Sequence, residues 1–161
     1  ATAKKLGINL SIINTVNESN KKRHLKIISK IATYYNDDLK NITLTILGVS
    51  FKPNTDDIRD SSSLIIAKEL LKKGAKIKVN DPKAMQNAKK EIDKLLIFDN
   101  PYDACEKSDG LIIATEWNEF RALDLQRVKS LLVKPVIFDL RNIYNPSEVS
   151  TAGFKYFGIG R

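Results

Sequence analysis

Apolar residues in the first part of the chain recur at helical spacing. They fall three or four residues apart, as on one face of an α-helix, at Ile13, Val16, Leu25, Ile28, Ile31 and Tyr35. The polar stretch 17–24 between them fits one long helix or two nearly collinear ones, and the turn-forming residues 36–38 end the pattern. We therefore predict a helical region over residues 1–36. Its apolar stripe is too long for one small domain to cover, so we expect it to form a dimer interface.

Beyond residue 37, short continuous apolar runs alternate with helical segments about six times. The predicted strands are 42–47, 76–80, 95–98, 111–114, 136–139 and 155–158, and the predicted helices are 61–73, 84–94, 101–107, 123–132 and 146–152. This alternation is typical of a parallel sheet covered on both faces. We predict an α/β fold, a Rossmann-like doubly wound parallel sheet of about six strands over residues 37–161, preceded by the long helix.

The composition excludes several classes of protein. The 161 residues are 42% hydrophobic and 29% charged, as in an ordinary globular domain. No apolar run approaches the roughly 18 residues of a membrane helix, and residues 1–10 lack the arrangement of a signal peptide. Cys105 and His24 are the only cysteine and histidine, so we expect no internal disulfide, no zinc site and a reducing cytoplasm.

The net charge of +8 is spread along the chain. Basic residues occur in pairs and triplets, for example at 4–5, 21–23, 72–73 and 89–90, and form no long block. This distribution favours solvated helix faces over a nucleic-acid or membrane surface. A phosphorylated small molecule remains a suitable partner for a basic protein.

Two basic residues follow predicted strands at the edge where such folds bind ligands. Ligands of doubly wound sheets lie beyond the carboxyl ends of the strands, where the strand order reverses. Lys52 follows the first strand, residues 115–117 follow the fourth, and Arg141 follows the fifth. A lysine point charge and a bidentate arginine suit a phosphorylated ligand.

The first strand-to-helix turn does not look like a dinucleotide site. Residues 48–52 read Gly-Val-Ser-Phe-Lys and lack the G-x-G-x-x-G glycines that let a pyrophosphate approach a helix N-terminus. Asp81 ends the second strand, where a ribose-binding acid stands in a true dinucleotide fold. Without the glycines, we interpret it as part of an Asp-Pro turn, with the ribose-binding role as the alternative.

Residues 48–63, GVSFKPNTDDIRDSSS, closely resemble the first loop of the C-terminal domain of UDP-glucose and GDP-mannose dehydrogenases. Residues 101–105 (PYDAC), 115–117 (TEW) and 138–142 (FDLRN) match the same domain in order, and the resemblance covers essentially the whole chain. Residues 17–18 (NE), followed by a basic helix, look like the end of the family's central helical region. The TEW segment resembles the UDP-glucose members more than the GDP-mannose members.

The resemblance implies two successive oxidations by NAD, in which the C6 alcohol of UDP-glucose becomes an aldehyde, a cysteine thioester and then a carboxylate. Members of the family have an N-terminal NAD domain, a central helical dimer region and a C-terminal domain that grips the UDP-sugar. The chain resembles only the last two, and only part of the second. It is therefore expected to be a C-terminal piece, inactive alone, with NAD held mainly by the N-terminal domain.

The resemblance also assigns roles to four residues. Phe51 and Lys52 resemble the pair that contacts the sugar nucleotide, and Arg141 resembles the substrate-binding arginine of the fifth strand. Arg59 resembles the loop arginine that reaches NAD. No residue matches the catalytic cysteine, so we expect no catalytic residue here, and we interpret Cys105 as a buried packing residue.

Each role has a structural alternative. Lys52 is alternatively a solvated loop residue, Arg141 a structural partner of Asp139, and Arg59 a cap of its own loop through Asp56 or Asp57. For the whole chain, the alternatives are a dehydrogenase for UDP-N-acetylmannosamine or GDP-mannose, a non-catalytic nucleotide-binding module, and a nucleic-acid-binding domain suggested by charge alone.

Overall fold

A computed structural model describes residues 11–160 of the chain. The expectations for residues 1–10, which include the start of the helical region 1–36, lie outside the described residues. From Ser11 the predicted helix is present as α1 (Ser11–Tyr34), one continuous helix of 24 residues rather than two. It ends where Asn36 and Asp37 adopt positive φ angles of 56° and 60°, a conformation that asparagine and aspartate tolerate.

Six parallel strands form one sheet in the order β3-β2-β1-β4-β5-β6. The strands are β1 (Thr43–Leu47), β2 (Lys76–Asn80), β3 (Leu96–Ile97), β4 (Gly110–Ile113), β5 (Val136–Asp139) and β6 (Lys155–Gly158). The order reverses between β1 and β4, which pair directly from Leu44 against Gly110 to Leu47 against Ile113. The predicted fold class is confirmed.

Six helices connect the strands within residues 11–160. They are α2 (Ser62–Lys72), α3 (Met85–Glu91), α4 (Pro101–Cys105), α5 (Asn118–Arg121), α6 (Leu125–Leu131) and α7 (Pro146–Thr151). Local sequence explains where three of them begin, because the side chains of Asn100, Asp124 and Asn145 accept hydrogen bonds from backbone N–H groups of the first turn. In α4 and α7 a proline occupies the first turn, where its missing N–H costs nothing.

Hydrophobic residues fill both faces of the sheet. On one face, the second half of α1 packs with α2 and the strands through Ile27, Ile28, Ile31, Ala32 and Tyr35. On the other, α4, α6 and α7 cover a cluster that includes Cys105, Phe120, Val128 and Val149. The second half of α1 therefore shares one core with the sheet domain, although the sequence places a boundary at residue 36.

The shorter elements differ most from the prediction. α3 ends at Glu91, three residues early, because Ile92 is extended at φ −137°. β3 has only two residues and lies at the edge of the sheet. α5 is absent from the prediction, since a single turn is too short to show a periodic pattern.

Candidate functional site

The loop after β1 begins with a glycine that has no substitute. Gly48 has φ +91°, and a Cβ built on it would lie 2.4 Å from the Cβ of Thr115. A side chain would therefore meet both backbone strain and a steric clash. The loop starts in tight contact with the segment that follows β4, at the point where the strand order reverses.

Asp81, at the end of β2, holds this loop in place. It is fully buried, and its Oδ2 accepts hydrogen bonds from the backbone N–H of Val49 at 2.8 Å, the N–H of Ser50 at 3.0 Å and the Ser50 hydroxyl at 2.9 Å. Its Oδ1 accepts from the backbone N–H of Lys83 at 3.0 Å and of Ala84 at 2.9 Å. Both oxygens are thus occupied within the chain, so this acid has no capacity left for a ribose.

The Thr-Glu-Trp segment fixes the same loop from the other side. The Thr115 hydroxyl donates to the Ser50 carbonyl at 2.8 Å, and the Trp117 indole N–H donates to the Ser50 hydroxyl at 3.2 Å. All three residues are buried. Thr115 and Trp117 therefore hold the loop in place.

Phe51 and Lys52 project beyond the fixed base of the loop. The Phe51 backbone N–H donates to the Asp57 carbonyl at 2.8 Å, while its side chain is 54% exposed. Lys52 is also exposed. The chain thus presents an aromatic ring and a cation from a rigid base at the carboxyl edge of the sheet.

A cavity of about 540 Å³ lies between α1 and this edge. Phe51 and Arg141 both line it, together with Arg23 and His24 of α1 and Ser62 of α2. Lys52 is not among the described residues that line it. The structure therefore brings two of the three predicted substrate contacts together at one cavity and leaves the third on the neighbouring loop surface.

Arg141 pairs with Glu116 and not with Asp139, the partner named in the structural alternative. Its Nε–H donates to Glu116 Oε2. Asp139 instead accepts the backbone N–H of Arg141 at 3.0 Å. The hydrogen bond from Arg141 is the main reason why the pKa of Glu116 is lowered. Arg141 and Glu116 also line a second cavity of about 340 Å³, with Arg23 and Arg121.

Arg59 lies at the outer surface of the loop. Its NH2 group is 2.7 Å from Asp57 Oδ2, and its side chain is 86% exposed. This hydrogen bond lowers the pKa of Asp57 to about 2. The loop-capping alternative through Asp57 is thus realised, and an NAD contact of Arg59 remains a prediction.

His24 lies in a polar stretch of the sequence, yet its side chain is not fully solvated. The ring is half-buried against the cavity, and its Nε2 lies 2.9 Å from the Ser62 hydroxyl. Burial lowers its pKa, and the charge of Arg23 lowers it further. The signal was present in the sequence, because His24 precedes the buried Ile27, Ile28 and Ile31 at spacings of three, four and seven residues.

Cys105 packs in the core away from this edge. It is fully buried, and burial raises the pKa of its thiol to about 12. This agrees with its interpretation as a packing residue.

Among residues 11–160, no group of three or more His, Cys, Asp or Glu side chains could hold a metal ion. None of the helices in that range is long and apolar enough to cross a membrane.

Comparison with known proteins identifies the family. The sequence model described as UDP-glucose/GDP-mannose dehydrogenase family, UDP binding domain, matches residues 45–146. The chain belongs to this family. The matched range contains Phe51, Lys52, Arg59 and Arg141 and runs from β1 to the start of α7.

Curated relatives named UDP-glucose 6-dehydrogenase support the assignment to this family. The protein of Rickettsia bellii is 42% identical over 155 residues, which cover 95% of this chain and 36% of the relative. The protein of Rhizobium meliloti is 41% identical over 150 residues, which cover 93% of this chain and 34% of the relative. The chain thus spans about a third of the length of these family members.

Solved structures of family members show the same fold. A UDP-glucose dehydrogenase from Pyrobaculum islandicum superposes with a TM-score of 0.80 at 27% identity and covers 98% of this chain and 34% of its own. A GDP-mannose dehydrogenase from Pseudomonas aeruginosa superposes with a TM-score of 0.73 at 20% identity. The match covers 98% of this chain and 36% of the other. The second likeness is one of fold alone.

Proposed function

We propose that this chain is the UDP-sugar-binding part of an NAD-dependent UDP-glucose 6-dehydrogenase, the whole of which oxidises UDP-glucose to UDP-glucuronate in two successive steps. The observation that carries the proposal is the meeting of Phe51 and Arg141 at one cavity. They come from separate loops, after β1 and β5, within the region matched by the family's UDP binding domain.

The edge offers the contacts that a nucleotide sugar needs. The Arg141 guanidinium is a planar fork suited to phosphate oxygens, and Lys52 adds a mobile point charge. The exposed ring of Phe51 offers an apolar face against which a base or sugar can pack. Arg23 of α1 adds a further cation at the same cavity.

NAD does not fit the crevice of this chain. The first turn lacks the glycines of a dinucleotide site, and both oxygens of Asp81 are occupied by the chain itself. We therefore assign NAD to another part of the whole enzyme, with Arg59 reaching it from the loop surface. Together with the burial of Cys105, this leads us to expect no dehydrogenase activity from the chain alone.

The first half of α1 supports a homodimer. Ile12, Ile13 and Val16 are 52–78% exposed, whereas Ile27, Ile28 and Ile31 of the second half are buried. Leu25, in the middle of the helix, is also exposed. Burial of these residues against a second copy would remove an unusual apolar surface from water.

We place the whole enzyme in the cytoplasm, where it supplies sugar nucleotides for polysaccharide synthesis.

Calorimetric titration of this chain with UDP, UDP-glucose and GDP-mannose tests the proposal. We expect the two uridine ligands to bind, GDP-mannose to bind more weakly, and Arg141→Ala to weaken both uridine ligands. Equal affinity for all three, or tighter binding of GDP-mannose, would point to a different nucleotide sugar. Absence of uridine binding would contradict the assigned role of this edge.

A further inference from the structure

Most hydrogen-bond donors of Arg141 remain available to a ligand. A guanidinium carries five N–H donors, and Arg141 uses its Nε–H for Glu116 Oε2. Its terminal nitrogens make no hydrogen bond to residues 11–160, while the side chain lines both cavities. Glu116 therefore binds the Nε–H of the guanidinium and leaves its two terminal nitrogens available.

Both ends of this ion pair are anchored. Glu116 stands between Thr115 and Trp117, whose side chains are both hydrogen-bonded to Ser50. The backbone N–H of Arg141 is held by the buried Asp139 carboxylate. An anchored acceptor and an anchored backbone restrict the directions that the guanidinium can take.

Glu116 is a negative charge in a cavity whose other charged lining residues are positive. The second cavity is lined by Arg23, Arg121 and Arg141, with Glu116 as the acid among them. A carboxylate beside three arginines weakens the electrostatic attraction for an anion. Any favourable effect of Glu116 on ligand binding therefore comes from the geometry of its hydrogen bond to Arg141.

From these contacts we infer that Glu116 is a positioning residue, which holds the Arg141 guanidinium so that its terminal nitrogens face the diphosphate of the nucleotide sugar. This inference rests on the proposed function. A flexible arginine must be ordered by its ligand, and that ordering lowers affinity. Glu116 orders the side chain in advance, and this gain exceeds the loss in electrostatic attraction.

Substitution of Glu116 distinguishes its effect on the geometry of Arg141 from its effect on charge. Loss of the ordering of Arg141 lowers the affinity for UDP, whereas loss of the negative charge raises it. We expect Glu116→Ala to weaken UDP binding by this chain about threefold to tenfold, although it removes a negative charge from the site. Glu116→Gln removes the same charge but keeps an oxygen acceptor for Nε–H, so it should recover most of the affinity. If both variants bind UDP more tightly than the parent chain, Glu116 only neutralises the site and the inference is wrong.

Two controls tie the effect to Arg141. Glu119→Ala removes an exposed carboxylate three residues away and should leave UDP binding unchanged or slightly tighter. In an Arg141→Ala background, Glu116→Ala should weaken binding no further. A further loss of the same size there would mean that Glu116 acts by another route, which overturns the inference.

A readout without ligand checks the contact itself. The Arg141 Nε–H signal in NMR should exchange slowly with water in the parent chain and in Glu116→Gln, and rapidly in Glu116→Ala. If Arg141→Ala weakens UDP while Glu116→Ala binds as the parent does, the inference fails and the proposed function stands. If the parent chain does not bind UDP, both fail.

Discussion

At the scale of single residues, Arg141 and Lys52 are expected to bind substrate without touching the reacting carbon. In the whole enzyme, Arg141→Ala and Lys52→Ala should raise the KM for UDP-glucose about tenfold to a hundredfold, since a charge-assisted hydrogen bond contributes roughly 1.5–3 kcal/mol. Steady-state kinetics at varied UDP-glucose measures this. An unchanged KM in both variants would remove these residues from the substrate site. Because Lys52 stands outside the cavity that Arg141 lines, its effect should be the smaller.

Arg59 is expected to serve the cofactor rather than the substrate. Its side chain is exposed on the loop surface and is held by Asp57. In the whole enzyme, Arg59→Ala should raise the KM for NAD and leave that for UDP-glucose unchanged. Kinetics at varied NAD and varied UDP-glucose distinguish the two ligands. The reverse pattern would place Arg59 at the substrate.

Cys105 is expected to take no part in the chemistry, because a buried thiol with a raised pKa is a poor nucleophile. The chain supplied with NAD and UDP-glucose should form no NADH, as followed by absorbance. In the whole enzyme, Cys105→Ser should keep nearly normal turnover and lose about 1–2 kcal/mol of stability by burying a hydroxyl. NADH formation by the chain that disappears in this variant would contradict the proposal.

The single residues that sequence reasoning placed best are those next to strands. Lys52 and Arg141 could be placed at the carboxyl edge from their neighbours, because the ends of apolar runs locate the edge of a parallel sheet. The contacts of Asp81 with Val49 and Ser50 and the pairing of Arg141 with Glu116 could not be derived in this way. They join residues 25 to 32 positions apart, and the choice between acceptors depends on how the loops meet in three dimensions.

At the scale of elements, the contact between His24 and Ser62 links the middle of α1 to the start of α2. His24 is the only histidine, and its pKa is lowered in the folded chain. The unfolded chain therefore binds more protons near its ordinary pKa, and stability rises with pH across that region. We expect the melting temperature to fall as the pH is lowered through about 6.5.

The variant His24→Gln isolates this contribution. It keeps a polar side chain beside Ser62 but cannot be protonated, so the fall in melting temperature between about pH 7 and pH 5 should become smaller. Thermal unfolding followed by circular dichroism at several pH values measures the difference. An identical pH dependence in both proteins would show that His24 does not titrate in this range.

The accuracy of the predicted bounds depends on how distinct the sequence pattern of each element is. β2, β5 and β6 have the predicted bounds because each is a distinct apolar or alternating run next to turn residues. α5 and the early end of α3 were missed. α5 is a single turn, too short to show a periodic pattern, and α3 ends where the backbone of Ile92 becomes extended.

At the scale of the whole molecule, the exposed first half of α1 predicts self-association. The whole enzyme should be at least dimeric in light scattering at tens of micromolar, on the order of normal assay concentrations. A matched pair of variants tests the surface. Ile12→Ser with Val16→Ser should shift the protein toward monomer, whereas Lys26→Ser, an exposed polar change on the same helix, should not. A strictly monomeric parent enzyme would contradict the prediction.

In the proposed dimer, the continuity of α1 would couple the ligand cavity to the interface between the two copies. The helix is a rod of 24 residues, about 36 Å long, with its second half fixed in the sheet core and its middle against the Phe51 cavity. A tilt imposed on the exposed end by a neighbouring copy would act as a lever and change the width of that cavity. Ligand occupancy would bias the tilt in return, by the reciprocity of linked equilibria. We therefore expect UDP to change the strength of self-association and dilution to change the affinity for UDP.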